Sequence, residues 1–232
     1  NGISVSKETV TLRYEVAGVP KKEIGDVIAV DQGLSTLLTT SRNDEFPLDI
    51  HGHTLSSILE KLSSCKLGSK GFDRASAHRK NHINWLVKQL NLSNVKELKL
   101  ENIENIKYGV CVSRLLKHWS NPLIRDSLIK LGEELGVLVT LVGNEFNSQR
   151  CNKCGWVQKS NRKGKVFHCK HCHHEDDADA NASKNILDRH MLFELPFGFR
   201  SLKKNLVGFF WNQNGLFSKT GEEITVPQSI KT

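Results

Sequence analysis

Residues 151–186 read CNKCGWVQKSNRKGKVFHCKHCHHEDDADANASKNI, and this stretch decides how the rest of the chain is interpreted. It opens with Cys151-x-x-Cys154 and repeats the pattern at Cys169-x-x-Cys172. Each such turn presents two sulfurs to one ion, so two pairs predict a tetrahedral zinc site. Residues 155–168 between the pairs fall just short of the usual spacing, but they can span a short hairpin. A redox pair or two disulfides is the alternative interpretation.

The segment after the second cysteine pair is Asp177-Ala-Asp179-Ala-Asn181-Ala-Ser-Lys-Asn185-Ile186. It resembles the D-x-D-x-N-A-x-x-N-I signature at the third catalytic motif of RuvC-like nucleases. More narrowly, it is similar to transposon-encoded TnpB proteins and the related type V CRISPR effectors, in which a zinc ribbon directly precedes this motif. The lead-in Asn147-Ser-Gln-Arg-Cys151-Asn-Lys-Cys154-Gly resembles the family's T-S-Q-x-C-x-x-C-G, with Asn147 in place of threonine. The resemblance covers roughly residues 25–190.

The resemblance implies an α/β fold: an RNase H-like (RuvC) mixed sheet flanked by helices, with an inserted four-cysteine zinc ribbon. The near-continuous apolar run over residues 27–34 predicts a buried first strand that ends in Asp31-Gln-Gly33. Gly33 allows the tight turn that such a site needs. Taken alone, an aspartate before a glycine is typical of an ordinary turn. Residues 35–40 and 48–50 are expected to continue the sheet.

A later strand, predicted from the alternation over residues 95–103, delivers Glu101 at its end. The resemblance implies that a glutamate in this place is the second catalytic residue. Glu97 and Glu104 are nearby rivals, although Glu97 lies in mid-strand and Glu104 lies beyond it. The resemblance therefore assigns catalysis and magnesium binding to Asp31, Glu101 and Asp179, with Mg²⁺, in two copies, as the catalytic cofactor, replaceable by Mn²⁺. Zinc at Cys151, Cys154, Cys169 and Cys172 is structural, because four thiolates leave no open position for water.

Apolar residues at helical spacing predict helices over residues 54–66 and 74–90, a third from Pro122 to Leu135, and a fourth over 178–189. Thr54 is a candidate N-cap, and Gly136 a candidate C-cap before a buried strand over residues 137–142. Asp179 falls in the first turn of the fourth helix. Asn181 and Asn185, four residues apart, share a face there and are expected to orient the acidic site. Residues 107–120 are expected to form a basic crossing.

Basic residues are candidates for contact with a nucleic-acid backbone. Net charge is +8, from 33 Lys and Arg against 25 Asp and Glu, which favours a polyanionic partner. The candidates lie on the second helix and around the ribbon: Lys70, Arg74, Arg79, Lys80, Arg150, Lys159, Arg162, Lys163 and Lys165. Solvated helix and loop surfaces are the competing interpretation for all of them.

The domain organisation follows from these motifs. Residues 1–24 are expected to be a strand and connector, either the end of a missing wedge-type domain or an addition to the main sheet. Residues 25–146 form the first part of the RuvC-like domain, 147–176 the ribbon and 177–190 the third motif. The chain begins at Asn1 and its one methionine is Met191, so we expect a missing N-terminal domain or a partner subunit. The role of residues 191–232, rich in aromatic residues, is left open.

Composition describes a soluble globular protein, with 38% hydrophobic and 25% charged residues. The sequence has neither an apolar run of membrane-spanning length nor a signal peptide, and no membrane association is expected. With its cysteines committed to zinc, the chain is expected in a reducing compartment. The expected location is the cytoplasm of a bacterial, archaeal or phage-infected cell, close to the nucleoid.

The expected function is a magnesium-dependent DNA endonuclease, the catalytic part of an RNA-guided nuclease with a guide RNA and a DNA substrate. One alternative is an RNA-guided repressor that has lost cleavage, although all three carboxylates are present. Another is a stand-alone structure-selective resolvase, although resolvases of this fold generally lack a ribbon. A zinc-ribbon module for protein contact is a further alternative, and it leaves the three carboxylates unexplained.

Overall fold

A computed structural model describes residues 2–15, 17–33, 36–44, 46, 51–103, 121–195, 199 and 206–225.

The first two strands form a separate antiparallel hairpin. Strand β1 (Gly2–Val5) pairs with β2 (Val10–Arg13). Within the described residues this pair is not part of the main sheet, so the alternative that the N-terminal strand joins that sheet is wrong.

A mixed sheet of four strands forms the centre of the protein, in the order β4–β3–β5–β6. Its members are β3 (Asp26–Gln32), β4 (Leu38–Thr40), β5 (Val95–Glu101) and β6 (Leu138–Val142). Strand β4 runs antiparallel to β3, whereas β5 and β6 run parallel to it. The predicted α/β class is confirmed, although residues 48–50, a candidate strand, lie outside the described part of the chain.

Three helices cover one face of this sheet. They are α1 (Leu55–Ser64), α2 (Lys70–Val87) and α3 (Asn121–Leu135). Their apolar residues form one core with alternate residues of β3 and β5, including Ile28, Val30, Leu98 and Leu100. Residues alternate between the two faces along a strand, so Asp31 and Glu101 face the other side.

The helix boundaries follow from local capping. Thr54 accepts a hydrogen bond from the Ser57 backbone N–H, and Ser57 reciprocates in a capping box, as predicted for the start of α1. Helix α2 starts four residues earlier than predicted, because Ser69 caps it through the Phe72 N–H. Gly136, with φ of +67°, ends α3. A side chain there would meet the carbonyl oxygen of Pro20 at 2.4 Å.

The ribbon consists of short strands that flank the two cysteine pairs. These are β7 (Trp156–Val157), β8 (Arg162–Lys163), β9 (Val166–His168) and β10 (Glu175–Asp177). Strands β8, β9 and β10 make one antiparallel sheet. Strand β10 runs directly into helix α4 (Ala178–Asp188), which Asp177 caps. Helix α4 packs on β3, β4 and β5, on the face that α1–α3 leave open.

The C-terminal segment completes the ribbon. Strand β11 (Phe209–Asn212) pairs with β7 on one side and with β12 (Gly215–Phe217) on the other. An aromatic core joins the segment to the ribbon and to the loop that precedes it: Phe146, Val157, Phe199, Phe209, Trp211 and Leu216. The role that the sequence left open is therefore structural in the described residues.

No helix among the residues that the structure describes is both long and apolar enough to cross a membrane.

Candidate metal and nucleic-acid site

The four predicted cysteine ligands come together at one point. Their Sγ atoms all lie within 4.8 Å of one another. The Cys151–Cys172 and Cys154–Cys169 sulfurs are 3.7 and 3.6 Å apart. Four sulfurs around one zinc at about 2.3 Å would be separated by about 3.8 Å, so this geometry fits a tetrahedral site. The thiolate of Cys151 accepts hydrogen bonds from the Cys154 thiol and from nearby backbone N–H groups, which lowers the pKa of Cys151.

Asp31 and Glu101 lie at the carboxyl ends of neighbouring parallel strands. Val30 pairs with Leu100 in the β3–β5 register, and the two acids are the next residues along each strand. Burial, followed by the charge of Asp179, raises the pKa of Asp31 to about 7. Burial, followed by the charge of Asp31, raises the pKa of Glu101 to about 8. These carboxylates therefore interact across the end of the sheet, and a cation beside them would favour their ionised forms.

Asp179 approaches the same end of the sheet from helix α4. It is 4% exposed and lies in the first turn, where the helix dipole favours a negative charge. The turn after β3 requires a glycine at position 33, because a Cβ there would lie only 2.5 Å from the Thr36 carbonyl oxygen. The same Cβ would lie 3.8 Å from Asp179 Oδ2, which is an ordinary contact, so the constraint comes from the tight turn that was expected at Gly33.

The three carboxylates are spread more widely than ligands of a single ion. Among the described His, Cys, Asp and Glu side chains, the four cysteines form the group of three or more that lie close enough together to hold one ion. Carboxylates that serve two ions about 3.5–4 Å apart need no common centre. Asp31 and Asp179 are buried and Glu101 is partly buried. Three carboxylates that repel one another suit hard divalent ions such as Mg²⁺, which prefer oxygen ligands.

Two cations of the ribbon reach Asp179. Arg162 donates from Nη2 to Asp179 Oδ1 at 2.8 Å. The ammonium of Lys165 contacts Asp179 Oδ2 and also donates to the Thr36 hydroxyl at 2.8 Å. The sequence placed both residues around the ribbon, and in the structure they contact the third carboxylate, Asp179. Lys159 and Lys163, by contrast, are exposed on the ribbon.

Arg150 was predicted as a nucleic-acid contact, but the structure buries it at 7% exposure. Its Nε donates to the Trp211 carbonyl at 2.9 Å, and its Nη1 donates to Asn185 Oδ1 at 2.8 Å. Both partners are interior, so the guanidinium satisfies buried acceptors and does not present its charge to solvent. The prediction for Arg150 is wrong for this reason.

The predicted basic residues of α2 are not on one face. Lys70 and Arg74 are exposed and four residues apart, so they share a face of the helix. Arg79 follows buried Ala75 by four residues, and burial lowers its pKa. Lys80 is exposed on a different side. Arg79 thus differs from its neighbours in facing the interior side of the helix.

Asn181 and Asn185 share a buried face of α4, but they hold the chain that leads into the ribbon and do not reach the carboxylates. Each donates to the carbonyl of Arg150, at 2.8 and 2.7 Å. Asn185 also donates to the Asn147 carbonyl, and Asn181 accepts from the Asn152 backbone N–H. Asn147 is the residue that sequence reasoning missed. Its Nδ2 donates to Glu101 Oε1 at 2.9 Å, and its exchange for the motif's threonine was the available signal.

Among the predicted rivals, Glu97 lies within β5 and Glu104 lies outside the described residues, as does the basic crossing over residues 107–120. The strand end therefore presents Glu101 to the site, next to Asp31.

Comparison with known proteins gives one family model, two sequence relatives and several solved structures that resemble this chain. Residues 124–186 match the model described as "Cas12f1-like, TNB domain". The chain is 35% identical over 91 residues to the CRISPR-associated endodeoxyribonuclease Cas12f1 of Sulfoacidibacillus thermotolerans, covering 38% of this chain and 21% of the relative. It is 28% identical over 122 residues to that of Syntrophomonas palmitatica, covering 52% and 24%. The match spans less than a quarter of the length of either relative.

A solved structure described as a CRISPR-Cas12f ternary complex aligns with 77% of this chain and 41% of its own, at 19% identity and a TM-score of 0.49. A Cas12f1–sgRNA–target DNA complex aligns with 72% and 40%, at 18% identity and a TM-score of 0.47. The family model, which spans the cysteine pairs and the Asp-x-Asp segment, and the two sequence relatives confirm the predicted resemblance to the TnpB and type V CRISPR effector family.

Proposed function

We propose that the chain carries a RuvC-like, metal-dependent endodeoxyribonuclease site formed by Asp31, Glu101 and Asp179. The observation that supports this most directly is the convergence of three acids, two of them buried and Glu101 partly buried, at one end of the sheet. Asp31 adjoins Glu101 across the parallel strands, and Asp179 is close enough to raise the pKa of Asp31. The names of the sequence relatives, both endodeoxyribonucleases, give the same reaction class.

The three acids have distinct roles in this proposal. Asp31, which interacts with both of the other acids, would help to hold both ions, whereas Glu101 and Asp179 would each hold one. Bound divalent ions would supply an activated water for in-line attack on the phosphodiester and charge stabilisation for the departing oxygen. Asp31 and Asp179, which are buried, would fix the spacing of the ions. Arg162 and Lys165, at the rim beside Asp179, are placed to exchange their carboxylate contact for a phosphate of the strand.

The zinc site has a structural role in this proposal. Cys151, Cys154, Cys169 and Cys172 fill all four positions around the ion, so none is open for water or substrate. Zinc closes the loops that position Arg162, Lys165 and the start of α4. Loss of the zinc should therefore disturb the nuclease site without any direct chemical role for that metal.

The test of the proposed activity is cleavage of end-labelled single-stranded DNA by the purified chain with Mg²⁺ or Mn²⁺. The key variant is Asp179→Asn, and the matched control is Asp176→Asn, which changes an acid on β10 that pairs with Lys184 at 2.7 Å. We expect cleavage by wild type and by the control, and at least a roughly hundredfold loss in Asp179→Asn. Cleavage that survives Asp179→Asn would contradict the assignment. If the wild-type protein holds zinc and binds DNA but does not cleave it, the alternative of an RNA-guided repressor that has lost cleavage would be favoured.

We further propose that the chain works with guide RNA and target DNA, together with a domain or subunit that supplies RNA binding. The support is the family resemblance and the net charge of +8. Exposed Lys70, Arg74, Lys80, Lys159 and Lys163 are the candidates for binding the nucleic-acid backbone. In this proposal sequence is read by base pairing, and the basic side chains bind only phosphates.

The salt dependence of oligonucleotide binding tests these basic residues. The slope of log K against log salt is negative, and the double variant Lys70→Ala/Arg74→Ala should reduce its magnitude by roughly 0.7 for each phosphate of a single strand that is no longer neutralised. Lys130→Ala, an exposed lysine of α3, is the control and should leave the slope unchanged. An identical slope in the double variant would show that this face of α2 is simply solvated.

A further inference from the structure

Asn147 links the ribbon to the second carboxylate. Its side chain is 1% exposed and its Nδ2 donates both to Glu101 Oε1 and to the Gly143 carbonyl, each at 2.9 Å. An amide that holds two acceptors in this way has a fixed orientation, because both of its hydrogens are engaged. Glu101, partly buried at the end of β5, is thereby fixed through one oxygen.

The backbone of Asn147 is fixed just as firmly. Its carbonyl accepts from Asn185 Nδ2 at 2.9 Å, and three residues later the Arg150 carbonyl accepts from the same Nδ2 at 2.7 Å. The guanidinium of Arg150 returns a bond to Asn185 Oδ1. Cys151, the first zinc ligand, follows immediately. A short segment held by buried hydrogen bonds thus runs from the zinc site to the Glu101 carboxylate.

The remaining polar atom of this side chain indicates what the arrangement is for. Asn147 Oδ1 is buried and, within the described residues, has no hydrogen-bond donor. A buried acceptor without a donor has given up its hydration without compensation, and such atoms in native proteins call for an explanation. Water carried by a divalent ion beside Glu101 is a donor that would satisfy it, and Mg²⁺ usually keeps several of its waters.

We propose that Asn147 is a positioning residue for the divalent-metal site. It holds Glu101 through Nδ2, offers Oδ1 to metal-bound water, and makes the geometry of the site depend on the folded ribbon. This inference rests on the proposed metal site but concerns a residue outside its three carboxylates. Residues that orient metal ligands in this way typically contribute roughly 10- to 100-fold to metal affinity or activity.

A purely structural role for Asn147 would give a different result, and the chain offers a matched control. Asn161 is also an asparagine of the ribbon, also 1% exposed, and its Nδ2 donates to the Gln149 and Trp156 carbonyls at 2.9 and 3.2 Å. Its Oδ1 accepts from the Lys170 backbone N–H. Asn161 therefore stabilises the ribbon to a similar degree, but its hydrogen bonds do not reach Glu101.

The experiment measures Mn²⁺ binding to the zinc-loaded full chain, without nucleic acid, from the free Mn²⁺ signal in electron paramagnetic resonance. Mn²⁺ binding that is lost in Asp179→Asn is assigned to the carboxylate site. We expect Asn147→Ala to bind Mn²⁺ at least about tenfold more weakly, and Asn161→Ala to bind like wild type while its melting temperature falls. Zinc content is measured for each variant, so that loss of the ribbon is recognised. Asn147→Thr, the residue of the motif, keeps the position polar, but its hydroxyl is too short to replace the amide.

The outcomes separate this inference from the proposed activity. If Asn147→Ala and Asn147→Thr keep their zinc and bind Mn²⁺ like wild type, Asn147 has no positioning role and the inference is overturned. Equal weakening in Asn161→Ala would also overturn it, because ribbon stability alone would then explain the effect. If wild type binds Mn²⁺ through Asp179 but cuts no DNA, the proposed activity fails, whereas the inference is still decided by Asn147→Ala. If no Asp179-dependent Mn²⁺ binding exists, both fail.

Discussion

The guanidinium of Arg162 lies 2.8 Å from the carboxylate of Asp179, although the two residues belong to the ribbon hairpin and to a helix of the central domain. Lys165, from the same hairpin, contacts the other oxygen of Asp179. The Asp179 side chain is 5% exposed, so its charge depends on these partners or on a bound cation. The ribbon is therefore electrostatically part of the site.

Removal of both cations should destabilise the metal-free protein more than removal of either one. Arg162→Gln or Lys165→Gln alone leaves Asp179 one partner, and because both cations are partly solvent-exposed the cost should be about 1 kcal/mol or less. In the double variant a buried carboxylate is left uncompensated, which costs about 3 kcal/mol or more. Thermal denaturation without divalent ions measures this. Adding Mg²⁺ should stabilise the double variant more than wild type, because Mg²⁺ would then bind Asp179 without displacing Arg162 and Lys165. Equal stabilisation of both proteins would contradict the idea that these two side chains and Mg²⁺ compete for Asp179.

The raised pKa values of Asp31 and Glu101 predict that the metal-free protein loses stability as pH rises. The folded state holds protons on these groups up to about pH 7 and 8, whereas the unfolded chain releases them near pH 4. The folded state therefore binds more protons across this window, and the free energy of unfolding falls with pH until it levels off above about pH 8. Urea denaturation of the zinc-loaded protein from about pH 6 to about pH 9 measures the trend. In Asp31→Asn/Glu101→Gln, or with saturating Mg²⁺, the curve should become nearly flat.

Residue spacing was enough to predict the cysteine cluster and the strand that ends at Glu101, because both depend on local geometry. Two CxxC turns bring four sulfurs together without help from distant residues, and alternation fixes where a strand ends. The side of the sheet that Glu101 faces follows from the same alternation, whereas the continuous apolar run before Asp31 does not show which side Asp31 faces.

Long-range packing decided what the sequence could not show. An arginine is normally expected at the surface. Arg150 is buried because Trp211 and Asn185, which are distant in sequence, pack beside it and accept its hydrogen bonds. The pairing of β11 with β7 joins residues that are far apart along the chain, which no local pattern encodes. The ion pairs of Asp179 depend on how the hairpin folds back onto helix α4, so spacing alone could place Arg162 and Lys165 only around the ribbon.

Zinc should hold the C-terminal segment in place as well as the ribbon. Strand β7 begins two residues after Cys154 and pairs with β11, and the Gly155 carbonyl accepts from the Trp211 N–H at 3.0 Å. Cys169→Ser removes a buried ligand, and we expect it to lose bound zinc and to increase hydrogen exchange in both β7 and β11. Exchange in β3 and β5 should change little. Unchanged protection of β11 after zinc loss would show that the aromatic core alone holds the segment.

Gly33→Ala should reduce activity with little loss of zinc. The added methyl group would lie 2.5 Å from the Thr36 carbonyl oxygen, so the turn after β3 must move, and Asp31 lies only two residues earlier, near the end of that strand. A displacement of about 1 Å at a reacting centre can cost on the order of a hundredfold in rate. We expect at least a roughly tenfold fall in cleavage rate at saturating Mg²⁺, with zinc content unchanged. Gly18→Ala is the control, because no heavy atom lies within 4 Å of a Cβ there and its backbone is not in the left-handed region. Equal rates in Gly33→Ala and wild type would show that the turn does not position Asp31.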